Sequence, residues 1–94
     1  MQVDVIDPKK TAMIVVDMQN DFVAPGAPIE TPAARQAVPK IGEALKACRD
    51  AGIKVIYTAH VHRGDGCDMG LFDNLHPPVA KRDALVEGTR GAEI

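Results

Sequence analysis

The chain has 94 residues, 46% apolar and 26% charged, with a formal net charge of -2 and a pI near 5.8. These values fit one small globular domain and give no sign of disorder. The basic residues are scattered, which argues against nucleic acid or an anionic membrane as partner.

Cys48 and Cys67 are too few for a disulfide framework and have no zinc-finger spacing, so free thiols are expected. The segment Met1 to Lys10 alternates apolar and acidic residues, without the basic start and apolar stretch of a signal peptide. No segment has the apolar run needed to span a bilayer, so a cytoplasmic location is expected.

In chain order, Asp7-Pro8-Lys9-Lys10 reads as a turn. Thr11 to Asp17 then forms a strand whose continuous apolar run suits burial on both faces, as in a parallel sheet. Asp17 falls at its carboxyl end, the edge where open α/β sheets gather ligands. An acid there also fits a simple turn cap.

A long loop follows, broken at Pro25-Gly26, and its span from Met18 to about Val38 is a candidate pocket wall. Thr31-Pro32 has the form of a helix start, but Pro39 would interrupt a helix begun there. The main helix is therefore expected from Pro39, with Ile41, Ala44, Leu45 and Cys48 on its apolar stripe and Gly52 closing it. A second strand, Ile53 to Thr58, completes a βαβ unit with parallel strands.

The next loop, Ala59 to Asp68, carries His60 and His62 beside acids. Imidazoles in this spacing suit a metal, but no third ligand is fixed by the pattern. A loop-supporting hydrogen bond from one histidine fits equally well. Arg63 is suited to pair with Asp65 or Asp68, or to orient a polar substrate. Beyond Met69 periodicity fades, Pro77-Pro78 points to extended backbone, and Gly88 to Gly91 is loop-like. Two strands and one helix leave apolar faces uncovered, so the sheet reads as incomplete.

Four blocks carry a resemblance: Ala12 to Phe22 (AMIVVDMQNDF), Gly52 to Thr58, His62 to Gly66, and Gly88 to Ile94. In this order they resemble the isochorismatase-like cysteine hydrolases, a superfamily that includes nicotinamidases, N-carbamoylsarcosine amidases, and ureidoacrylate and biuret-type hydrolases. The resemblance implies an α/β fold: residues 1–94 would be the N-terminal βαβ part of one three-layer domain with a mostly parallel six-stranded sheet. It also implies an Asp-Lys-Cys triad in which Asp17 is the base.

The resemblance implies that the triad Lys and Cys lie downstream, on the third strand and on the helix after the fourth; Lys81, Cys48 and Cys67 do not match their contexts and are not assigned to them. The 94 residues would then be a fragment, inactive alone. Gln19, Phe22, His62 and Arg63 are the expected substrate-binding residues. The metal-binding nicotinamidases have Asp-x-His where this chain has His60-Val61-His62, so no metal and no cofactor are expected.

The implied reaction is hydrolysis of a C–N bond in a small amide, carbamoyl or ureido compound through a thioester. The alternatives are vinyl ether hydrolysis of the isochorismatase type, or a non-catalytic assembly module. The expected partners are the substrate, further copies of the protein and a C-terminal complementing segment. A phosphatase of the haloacid dehalogenase type would need a second acid where Gln19 stands.

Overall fold

A computed structural model of the chain describes residues 4–94; Met1 to Val3, the start of the alternating amino-terminal segment, lie outside the described residues. A 3-10 turn at Pro8–Lys10 leads in, capped by the Asp7 carboxylate, which accepts from the Lys9 N–H at 3.0 Å. Strand β1, Ala12–Val16, follows.

It pairs in parallel with β2, Lys54–Thr58, in a register running from Ala12 opposite Lys54 to Val16 opposite Thr58. Both strands are shorter than the apolar runs that predict them. At the carboxyl end of β1 the ladder stops because Asp17 turns to φ +52°.

Between the strands lie a one-turn helix α1, Asn20–Val23, and the long helix α2, Pro32–Asp50. Helix α2 does not begin at Pro39 as the sequence suggests; it starts at Pro32 and runs through Pro39. Pro32 occupies the first turn, where no intrahelical N–H bond is required. Pro39 removes one mid-helix donor, but it is exposed, so the freed carbonyl one turn back can turn to water.

Two bonds between the helices help fix the earlier start. The Thr31 N–H donates to the Phe22 carbonyl at 2.7 Å, and Arg35 Nε donates to the Val23 carbonyl at 3.0 Å.

The helix closes as its sequence indicates. Gly52 takes φ +76°, its N–H donates to the Arg49 carbonyl at 3.2 Å, and the Ile53 N–H donates to the Cys48 carbonyl at 2.8 Å. This is a Schellman closure, in which a left-handed residue lets two orphan carbonyls be satisfied.

Alternate residues of β1 point to opposite faces. Met13 and Val15 are covered to different degrees: Val15 is buried, and Met13 Sδ lies 3.5 Å from Cys48 Sγ of α2. On the other face Ile14 is 57% and Val16 62% exposed, and their neighbour Ile56 is exposed too. The run that reads as doubly buried is therefore covered on one face only among the described residues.

After β2 come two short helices, α3 at Phe72–Leu75 and α4 at Pro77–Ala80, and a 3-10 turn at Arg90–Ala92. Pro77-Pro78 is not extended as its composition suggests: it opens α4, and the extended residue is His76 before it, at φ -130° and ψ 94°. Met69, Val79, Ala84 and Leu85 form a small core against which Phe22 and Ile29 pack. No described helix is long and apolar enough to cross a membrane.

Candidate active site

The six residues after β1 gather the later loops around themselves. Asp17 stands first, at the strand end. Its left-handed backbone is a conformation that Asp tolerates better than most residues, because its short polar side chain finds local partners. Here the partner is Thr58 at the end of β2. The Thr58 hydroxyl donates to Asp17 Oδ1 at 2.7 Å, while the Asp17 N–H donates to the Thr58 carbonyl at 3.1 Å.

Gln19 comes next and is 0% exposed. Its Nε2 donates to the carbonyls of His60 and Ala92 at 2.9 and 2.8 Å, and its Oε1 accepts from the His60 N–H at 2.8 Å. The Gln19 N–H closes a tight turn on the Asp17 carbonyl at 2.8 Å. Gln19, expected at the substrate, is here a fully buried amide committed to three backbone groups.

Asn20 and Asp21 continue the pattern. Asn20 donates from its backbone to the Glu93 carbonyl at 2.9 Å and from Nδ2 to the Arg90 carbonyl at 2.8 Å. Asp21 is buried, and its carboxylate accepts from the Leu85 N–H at 2.6 Å. Leu85 is held at φ +60°, and its carbonyl in turn accepts from the His62 N–H at 2.7 Å. Thr58 and Ala92 fall within two of the blocks that carry the resemblance, whereas Leu85 has no sequence signal of its own; only its pairing with Asp21 reveals it.

Phe22 faces a shallow cleft of about 290 Å³ that it shares with Val16, Asp17, Met18, Thr31 and Ala34. Asp17 is thus one of the residues that line it. Met18, Phe22, Thr31 and Ala34 of its lining all fall in the span from Met18 to about Val38.

The histidines lie deeper than the sequence implies. His62 is 5% exposed, its ring lies 4.6 Å from that of His60 between centroids, and Phe72 meets His60 edge-on at 5.5 Å. His62 Nε2 is buried without a hydrogen-bond partner among the described residues, and Nδ1 is 4.0 Å from Asp68. Burial, then the neighbouring His60, hold the His62 pKa below its ordinary value. The ring of His62, expected at the substrate, is enclosed in this structure. Among the described residues no group of three or more His, Cys, Asp or Glu is arranged to hold a metal.

Arg63 is exposed, and its side chain forms no ion pair with Asp65 or Asp68 among the described residues. Instead its backbone N–H donates to the Asp68 carboxylate at 3.0 Å, and its Nη1 lies 3.8 Å from Cys67 Sγ. Neither cysteine is set up as a nucleophile. The thiol of Cys67 is pushed up in pKa, chiefly by its hydrogen bond to Asp65, which disfavours the reactive thiolate. Cys48 packs on Met13 beneath α2.

The family model for the isochorismatase domain matches residues 11–94. The chain belongs to the isochorismatase family. Like this chain over 95% of its length is a solved cysteine hydrolase from Pseudomonas syringae pv. phaseolicola, with a TM-score of 0.85 and 37% identity, of which the match covers 41%.

Two further isochorismatase-family relatives extend the comparison. A probable inactive nicotinamidase from Arabidopsis thaliana is 34% identical over 92% of this chain and 44% of that protein. The ureidoacrylate amidohydrolase RutB of Caulobacter segnis is 40% identical over 55% of this chain and 24% of that protein. The chain thus spans less than half the length of the relatives it matches. The parallel sheet and its α/β arrangement are those of the isochorismatase family.

Proposed function

We propose that this chain supplies the general base and one wall of the pocket in a cysteine hydrolase that cleaves a C–N bond in a small amide, carbamoyl or ureido compound. The observation that carries the reading is the Asp17 carboxylate, fixed at the strand end by Thr58, in a residue that lines the same cleft as Phe22. The amidohydrolase among the relatives supports the substrate class. The triad Lys and Cys come from polypeptide outside these 94 residues.

In this scheme Asp17 takes the proton from the cysteine thiol as the sulfur attacks the substrate carbonyl carbon. The C–N bond then breaks, the nitrogen leaves with that proton, and a thioester remains for water to hydrolyse. Phe22 forms an apolar wall, and the exposed Arg63 is the cation available to a substrate carboxylate. Gln19 and His62 act behind the surface, holding the loops that carry these groups. The polypeptide that completes the sheet covers the open face of Ile14, Val16 and Ile56.

The Arabidopsis relative described as probably inactive favours a second reading, a member of the family without turnover. One assay separates the two: ammonia release from a panel of small amides and ureido acids by the complete protein and its Asp17→Asn variant. Asn preserves size but accepts no proton at neutral pH, so turnover should fall by about 10²-fold or more with the fold unchanged. A variant as active as the parent would refute Asp17 as base, and a parent inactive on the whole panel would favour the second reading.

A further inference from the structure

Thr58 grips Asp17 by side chain and backbone together. Its hydroxyl donates to Asp17 Oδ1 at 2.7 Å and also lies 3.2 Å from the Asp17 N–H, and its carbonyl receives that N–H at 3.1 Å. The grip follows from the parallel register, which sets Thr58 opposite Val16, the last residue of β1. A carboxylate carries two oxygens of equal basicity, and its terminal torsion is broad and nearly two-fold. Left alone, the two oxygens would be interchangeable. Among the described residues, only Oδ1 of Asp17 is engaged by a hydrogen bond.

We propose that Thr58 is a positioning residue that holds Asp17 Oδ1 and thereby assigns Oδ2 as the atom that takes the thiol proton and returns it to the leaving nitrogen. The proposal rests on the reading of Asp17 as the base. The geometry favours threonine in particular: its branched Cβ restricts χ1 on a strand, so the hydroxyl is aimed before the carboxylate arrives. Fixing a proton acceptor matters because small misplacements of reacting groups cost large factors in rate.

Thr58 is exposed, so Thr58→Val keeps shape and packing while removing the donor. In the complete protein, assayed by ammonia release from small amides and ureido acids, Thr58→Val should lower kcat about tenfold or more, as expected for losing a bond to a charged group. KM and the unfolding temperature should hold, and Thr58→Ser, which restores the hydroxyl, should recover most of the loss. A Val variant with parental kcat, or equal losses in Val and Ser, overturns the proposal.

A crystal structure of Thr58→Val gives a readout independent of any substrate. A carboxylate plane turned away from its present orientation supports the assignment, and an unchanged plane overturns it. Loss of turnover in Asp17→Asn without loss in Thr58→Val sinks this proposal alone; full turnover in Asp17→Asn sinks the base assignment and this proposal with it.

Discussion

At the scale of single residues, His62 shows how a side chain can matter for the fold through its charge state. It is enclosed beside His60 and Phe72, with Asp68 and Arg82 as the other charges near it, and its pKa lies below the ordinary 6.5. The folded state therefore prefers the neutral ring. When the chain unfolds, His62 picks up a proton at any pH between the lowered folded value and 6.5, so the unfolded state binds more protons there and acidification favours it.

The contribution is complete above pH 6.5 and is lost as pH falls through the folded value, with a slope of at most about 1.4 kcal/mol per pH unit for one proton. Urea unfolding of the complete protein at a series of pH values between 5 and 8, roughly the range in which histidine titrates, would show this as a decline. In His62→Phe the decline should flatten. An equal slope in parent and variant would remove His62 as its source.

At the scale of elements, the residues after β1 act as a knot to which later segments are tied. Some of this was legible beforehand. The apolar run into Asp17, the Gly52 closure of α2 and the second strand all follow from local chemistry, and each is observed. The start of α2 was not legible, because Pro39 counts against a helix locally, whereas the bonds from Thr31 and Arg35 to α1 come from tertiary structure. The work of Gln19 was hidden for the same reason: its partners, His60 and Ala92, lie 41 and 73 positions away.

Gly91 belongs to this knot. A Cβ there would collide with the Asp21 carboxylate, which cannot withdraw without giving up the Leu85 N–H. Gly91→Ala should destabilise the complete protein by about 1–3 kcal/mol, the range for overpacking a tight site. Gly42→Ala is the control: it sits mid-helix with open space around it and should be neutral or stabilising. Equal unfolding temperatures for the two variants would contradict the clash.

At the scale of the whole molecule, the radius of gyration is 16.1 Å, against about 12 Å for a compact domain of this length. The difference agrees with a core of few buried residues and with the bare face of Ile14, Val16 and Ile56. A two-stranded sheet with one long helix lacks the burial needed to stand alone. The 94-residue chain by itself should therefore unfold without a sharp transition and should bind a hydrophobic dye. A cooperative melt of the purified monomer would contradict this.

The knot after β1 has one more consequence. Gln19, Asn20 and Asp21 hold their partners by main-chain groups, at His60, Arg90, Leu85 and Ala92, and so are blind to the side chains those positions carry. The loops tied to it can exchange most of their side chains without untying the knot, apart from places such as Gly91 where only bare backbone fits. The loops can thus be rewritten in sequence while the anchor beneath them stays the same.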